Sequence, residues 1–329
     1  MTAVLVVGGA GYIGSHMVKR LSQLGCDVTT LDNLSSGQRD AVLAGDFVLG
    51  DIADRYMLDN LFSRKKFVAV MHFASFIQVG ESVQNPEKYY QNNFVNTINL
   101  LNAMQASSIN KFIFSSSAAT FGEPQYVPID ELHPQLPINP YGRTKLMVEQ
   151  VLTDYDKAYG IKSVCLRYFN AAGADPDGQL GERHDPETHL IPLVLEVASG
   201  RRSHINVFGR DYETPDGTCI RDYVHVADLC EAHWLGLQSL IKGGSSKSFN
   251  LGNGIGFSVQ EVIDAARRVT GSDIPLIDCA RRAGDPVRLV ADARLALESL
   301  DWRPQFCNLD TIIEHAWQWE LNGRLISRH

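Results

Sequence analysis

Short apolar runs punctuate the first half of the chain. Val4–Val7, Asp27–Leu31, Phe47–Leu49, Val68–Phe73, Lys111–Ser115 and Ser163–Tyr168 are too brief for helices and rich in β-branched or aromatic residues, so they are read as strands. Between them lie stretches with apolar residues at helical spacing, among them His16–Leu24 and Asn92–Met104. Strands alternating with helices predict βαβ units, hence an α/β fold with a Rossmann-type, doubly wound parallel sheet and right-handed crossovers.

The pattern changes after Asn170. Residues Ala171–Pro186 are rich in Gly, Asp and Pro and read as a loop into a less regular region. There Ser258 and Glu261 fit a capping box opening the helix that contains Val262–Val269. A boundary near residue 175 divides a Rossmann domain, 1–175, from a smaller C-terminal α/β domain, 176–329, with the chain crossing back to the first sheet near 223–237.

Composition narrows the class. With 44% hydrophobic and 21% charged residues the chain is an ordinary globular protein. The net charge of -8 argues against a nucleic-acid partner, which would need a basic face, and leaves any anionic ligand to local arginines. The 6 cysteines form no CxxC pair, so no metal is expected, and their scatter suits a reducing compartment better than a disulfide framework. No apolar stretch is long enough to span a bilayer and no basic segment precedes the first strand, so a cytoplasmic protein without a membrane partner is expected.

The first candidate site is glycine-rich. Gly8, Gly11 and Gly14 follow the first strand and open the first helix: one for a tight turn, one for backbone approach to a pyrophosphate, one for close packing. The helix N-terminus then offers free N–H groups to phosphates. Asp32 ends the next strand, near the ~20-residue spacing expected of a ribose-binding carboxylate. A carboxylate there repels a 2′-phosphate, so the expected cofactor is NAD rather than NADP. Asp51 and Ile52 follow the third strand, where Asp51 fits equally an adenine contact or a turn or helix-capping aspartate.

The second is a tyrosine and a lysine. Tyr141 and Lys145 stand at i and i+4, on one face of a helix that Pro140 is suited to open. A nearby ammonium and the helix N-terminus both favour phenolate, so a lowered tyrosine pKa is expected. Ser117, at the end of the Phe112–Ser117 run, is placed to hydrogen-bond a reacting hydroxyl and relay its proton. A non-catalytic NAD sensor would need neither Tyr141 nor Lys145.

With these motifs the chain resembles the extended short-chain dehydrogenase/reductase superfamily and, within it, the UDP-glucose 4-epimerase family. The likeness runs through Gly8–His16, Asp32-Asn33-Leu34-Ser35, His72-Phe73-Ala74, Val79-Gly80-Glu81-Ser82, Ser115–Ala118, Asn139–Lys145, Arg167-Tyr168-Phe169-Asn170 and Gly217–His225. It implies NAD held by Tyr12, Ile13, Asp32, Asn33, Ser35, Asp51, Ile52, Phe73, Ala74, Asn92 and Phe169, with Tyr141 as acid/base, Ser117 as its partner and Lys145 on the nicotinamide ribose. It also implies a UDP-sugar held by Asn170, His189, Leu190, Asn206, Phe208, Arg221, Arg282 and Asp285, the two arginines on the diphosphate, and a homodimer. Ile77 departs from a lysine frequent in the family, and His189 from an asparagine.

By the same likeness Leu289 occupies a position that walls the sugar near its 2-substituent, where a tyrosine would leave little room for an N-acetyl group; packing in the second domain is the equal alternative. Rival activities on this fold are weaker. Elimination by a 4,6-dehydratase needs an Asp–Glu pair where Ala118 and Ala119 stand, and no carboxylate-recognising group for a decarboxylase is identifiable.

Overall fold

The computed structural model describes residues 2–282 and 285–326. The first half supplies strands β1 (Ala3–Val7), β2 (Asp27–Asp32), β3 (Asp46–Leu49), β4 (Ala69–His72), β5 (Lys111–Ser117) and β6 (Lys162–Tyr168). They are interleaved with helices α1 (Tyr12–Gln23), α2 (Arg55–Arg64), α3 (Val79–Gln84), α4 (Pro86–Tyr89), α5 (Asn96–Ala106) and α6 (Pro140–Tyr159). The second half begins with β7 (Asn170–Ala172), α7 (Leu190–Ala198), β8 (Ile205–Phe208), β9 (Ile220–Arg221), β10 (Tyr223–His225), α8 (Val226–Ile241) and β11 (Lys247–Leu251). It continues through β12 (Phe257–Ser258), α9 (Val259–Thr270), β13 (Leu276–Cys279), β14 (Arg288–Leu289), α10 (Arg294–Ser299) and α11 (Leu309–Ile326).

Seven parallel strands form one sheet in the order β11-β6-β5-β4-β1-β2-β3. Because β1 lies between β2 and β4, successive crossovers run to opposite sides of it. A crevice therefore opens at the carboxyl ends of β1 and β4, the place where open α/β sheets bind ligands. Helices cover both faces. Val4 and Val6 pack with Met17 and Leu21 of α1 and Leu229 and Leu237 of α8; Leu5 and Val7 pack with Leu100, Leu101, Val148 and Leu152 of α5 and α6. Burial on both faces is why β1 is apolar at every position rather than alternating.

The chain returns to this sheet late, with α8 laid over it and β11 added beside β6, so the larger body is built from two separate stretches. The strand β11 has no expectation from the sequence to match it. A second core joins α7, α9 and α11 through Val194, Leu195, Val262, Ile263, Ile312 and Ile313. The Ser258–Glu261 capping box is present, each side chain bonding the other residue's backbone N–H.

Two sequence expectations are corrected. The stretch Ala171–Pro186 is not all loop, since β7 pairs in parallel with β10. The predicted helix Asn92–Met104 is two pieces, a π-helical turn over Tyr90–Val95 followed by α5. The wider turn lets the Asn93 side chain exchange hydrogen bonds with Phe76 N–H and C=O, at 2.8 and 2.9 Å, which anchors the loop after β4.

Candidate active site

A cavity of about 1350 Å³ runs along the carboxyl edge of the sheet and under α7, β8 and β14. It exceeds the ~300–1,000 Å³ of a typical small-molecule site and has room for a dinucleotide and a second nucleotide end to end. Every site residue expected from the sequence lines it except Lys145.

At one end is the glycine turn. Gly8 has φ +80, and a Cβ there would lie 2.4 Å from the Ala74 nitrogen, so only glycine lets the β1 and β4 loops cross. A Cβ on Gly14 would meet the Gly8 carbonyl oxygen at 2.1 Å, so this glycine packs α1 on its own turn rather than on a strand. Around Gly11 the nearest such contact is 3.5 Å, leaving open space over the start of α1. Gly11 caps α1 without a side-chain hydrogen bond and no acidic residue stands in the first turn, so no side chain competes for the helix N-terminus.

Asp32 is buried at the end of β2. Its oxygens accept from the N–H groups of Ala10 and Leu34 at 2.9 and 2.8 Å, which fixes the carboxylate and leaves a lone pair on each oxygen for a ribose hydroxyl. The Asn33 amide donates to Asp51 at 2.7 Å, and Asp51 accepts from the Ala53 N–H. The helix-capping alternative for Asp51 falls away, because Asp54 is the residue that caps α2. These groups suit an adenosine and pyrophosphate. The Tyr12 hydroxyl donates to the Gly173 carbonyl at 2.7 Å, joining the glycine turn to the strand beyond Asn170.

At the centre Ser117 ends β5, and α6 begins directly opposite. Asn139 caps α6 by accepting from Gly142 N–H at 2.8 Å, with Pro140 in the first turn. Gly142 permits the contact, since a Cβ there would lie 2.3 Å from the Ala119 carbonyl oxygen. This sets Tyr141 and Ser117 together on the cavity wall. Burial raises the phenol's pKa, and hydrogen bonding to Ser117 offsets part of the rise. The lowering expected from the sequence is thus not achieved by the protein's own groups. Lys145 is buried, donating to the Ser115 carbonyl at 2.8 Å, with Nζ 5.8 Å from the centre of the Tyr141 ring. Burial pushes its pKa down to about 7, against the pull of Glu149.

At the far end Arg221 forms an ion pair with Asp285, both of them expected site residues. Arg282 stacks on Phe208, its guanidinium carbon 3.9 Å from the ring centre. Asn170 donates from its side chain to the Asp222 carbonyl at 2.9 Å. Leu289 is only partly buried, lines the cavity, and packs with Phe169 against Ala118, Phe121 and Ile129 of the first domain, not into the second-domain core of α7, α9 and α11. At Ile77 the wall carries no cation. Lys88, nearby on α4, is bound to Glu81 at 2.6 Å.

Residues 4–252 match the model of the NAD dependent epimerase/dehydratase family. The chain belongs to that family. It is 52% identical over 317 residues to the UDP-glucose 4-epimerase of Halalkalibacterium halodurans, spanning 96% of this chain and 95% of that protein. The structure of UDP-glucose 4-epimerase from Brucella ovis in complex with NAD is similar with a TM-score of 0.95 and 52% identity, over 96% of this chain and 98% of that one. The UDP-Glc/GlcNAc 4-epimerase of Campylobacter jejuni is similar with a TM-score of 0.86 and 46% identity, over 98% and 99%.

Three features of this epimerase/dehydratase family member went unread in the sequence. Glu149 and Arg167 form a buried pair, with the Ser116 hydroxyl donating to Glu149 at 2.5 Å, which holds β5 against α6 just behind the reacting groups. His233 of α8 contacts the Ser115 hydroxyl at 2.8 Å. Glu182, His184, Glu187 and His189 converge beside Tyr12. Neither of the first two pairs has a sequence signal, as their partners are distant in the chain. The third does, in the spacing Glu-x-His-x-x-Glu-x-His. His189, expected on the sugar nucleotide, lines the cavity but turns Nδ1 to Glu182.

Proposed function

We propose that this protein interconverts UDP-galactose and UDP-glucose by transient oxidation at C4 of the sugar. The observation that carries the reading is the Ser117–Tyr141 pair, seated in one continuous cavity between a dinucleotide cradle and an arginine-bearing wall. The family's cofactor, NAD, supplies a hydride acceptor that returns what it takes. Tyr141 removes the proton from the sugar 4-hydroxyl and later gives one back, while Ser117 bonds the same hydroxyl and carries the proton between them. Since the protein alone, Lys145 included, leaves the phenol above its ordinary value, the further positive charge that favours phenolate would come from the nicotinamide ring of bound NAD.

Inversion requires a sugar that is free to turn while its diphosphate is held. Arg221 and Arg282 hold the diphosphate, a guanidinium being able to bond two oxygens at once. Phe169 and Leu289 line the sugar chamber with apolar surface that offers no competing hydrogen bond. Ala118 and Ala119 provide no acid or base for elimination, which favours epimerase over dehydratase. Leu289 also favours a broader substrate range, including UDP-N-acetylhexosamines, in keeping with its place on the chamber wall.

In this reading residues 1–175, with the returning α8 and β11, hold NAD, and the remainder holds the UDP-sugar. The enzyme works in the cytoplasm, in galactose metabolism, as a homodimer joined through helices of the NAD-binding part. Its 6 free cysteines suit a reducing compartment, and the exposed Val83 and Val95 beside α4 and α5 leave apolar surface for a second copy. The experiment is incubation with UDP-galactose and no added cofactor. UDP-glucose is the expected product; a stable keto sugar would mean a dehydratase, and no reaction would mean that the fold only senses NAD.

A further inference from the structure

Segment 181–189 links β7 to α7 and forms the cavity wall beside Tyr12. It is tied at several points. Trp319 of α11 donates to the Glu182 carbonyl at 3.2 Å, and Arg183 forms a 2.6 Å ion pair with Asp40. Within it, one donor atom from each of Glu182, His184, Glu187 and His189 lies within 4.8 Å of all the others.

The contacts among these four are not those of a finished hydrogen-bond network. Both Nδ1 atoms, of His184 and His189, converge on one oxygen of Glu182. The His184 Nδ1 is 2.9 Å from that oxygen and 3.8 Å from Glu187, ion-pair contacts whose alignment falls short of a hydrogen bond. The Glu187 side chain is 4% exposed. One of its oxygens accepts from the N–H groups of Thr188 and His189 at 2.7 and 2.9 Å, and the other, Oε2, is buried and unpartnered among the described residues. Against burial, which lowers them, Glu182 and Glu187 raise the pKa values of both imidazoles, so protons balance the carboxylates where no metal is bound; the unpaired Glu187 oxygen remains costly.

We propose that Glu182, His184, Glu187 and His189 bind one divalent transition-metal ion, zinc in the first place, as a structural site that pins the wall between the cofactor cradle and α7. Two imidazole nitrogens and two carboxylate oxygens are a donor set that zinc takes in tetrahedral form. Zn–N and Zn–O bonds of ~2.0–2.1 Å put neighbouring ligand atoms about 3.4 Å apart, so the cluster closes by little more than an ångström at its widest. The ion replaces the imidazole protons as the charge that neutralises both carboxylates, and a carboxylate bound to it through either oxygen no longer leaves Glu187 unsatisfied. Four protein ligands leave no open position, so the site is structural rather than hydrolytic. The absence of any CxxC pair, which spoke against zinc in the sequence, does not bear on a histidine–carboxylate site.

The test uses the full-length, NAD-containing enzyme without an affinity tag. Its metal content is measured after dialysis against a chelator and then against zinc or cobalt(II). About one zinc per chain is expected in the wild type. His184→Ala and Glu187→Gln should each weaken zinc binding at least about tenfold with NAD content retained. Glu187→Gln keeps the acceptor for the two N–H groups, so loss of zinc there reports the lost charge rather than a lost fold. Cobalt should give the intense visible bands of a tetrahedral site. A wild type that takes up less than about one-tenth of an equivalent of zinc overturns the proposal, as does full zinc retention in both variants.

Discussion

The Lys145 ammonium hydrogen-bonds the Ser115 carbonyl at 2.8 Å, and its Nζ sits 5.8 Å from the centre of the Tyr141 ring. The lysine is thus held by a backbone carbonyl and not by the phenol, so in the proposed mechanism its charge has to reach Tyr141 through space. Lys145→Met should move the acid limb of the kcat/KM profile to higher pH by at least about one unit, because the phenolate loses a cation in a buried setting. A profile with an unmoved acid limb would leave Lys145 a positioning role only.

Tyr141→Phe keeps the ring and removes the ionisable oxygen. Turnover of UDP-galactose should fall about 10²–10⁴-fold with UDP affinity unchanged by titration calorimetry. A loss smaller than about tenfold would show that another group moves the proton.

Asp32 accepts two backbone N–H groups as well as facing the cavity, so its replacement has to preserve an acceptor. Asp32→Asn keeps one of the two acceptor oxygens, giving up the bond from either Ala10 or Leu34, while removing the charge that repels a 2′-phosphate. The ratio of NADP to NAD affinity, measured on protein freed of cofactor, should rise at least about tenfold. An unchanged ratio would confine Asp32 to shaping the loop.

Leu289 shares a small apolar cluster with Phe169, Ala118 and Phe121. Leu289→Tyr adds a ring to this wall and should lower kcat/KM for UDP-N-acetylgalactosamine against UDP-galactose by an amount corresponding to roughly 1–3 kcal/mol. Equal effects on both sugars would leave Leu289 a packing role in that cluster alone.

His233 is fully buried between the Leu229 carbonyl, 2.7 Å from Nδ1, and the Ser115 hydroxyl, 2.8 Å from Nε2. The carbonyl assigns the proton to Nδ1 and leaves Nε2 to accept. Burial lowers the ring's pKa from 6.5 to about 4. A folded pKa below the unfolded one means that the contribution to stability is full above about pH 6.5 and is lost as the pH falls towards 4. Urea unfolding at pH 7.5 and 5 should show wild type losing about 2 kcal/mol relative to His233→Gln. A stability difference independent of pH would mean that His233 enters the folded state protonated.

The alternation of short apolar runs with helical stretches determined the parallel sheet, because a strand buried on both faces must be apolar throughout. The glycine turn, the Asp32 strand end and the Tyr141–Lys145 spacing were legible for a related reason, since each is a local geometry demanded of neighbouring residues. Only the tertiary structure decided what lies across the chain from them. It gave the Lys145 ammonium to Ser115, backed Ser116 with Glu149 and Arg167, and added β11 to the sheet from about eighty residues after β6. It also decided protonation: the i, i+4 spacing placed a lysine near a tyrosine, but burial, which no spacing encodes, pushes the phenol up and the ammonium down. The Glu182–His189 cluster stands between these cases. Its four side chains are near neighbours in sequence, yet they meet at one point only because α11 and Asp40 hold the segment folded against the cavity.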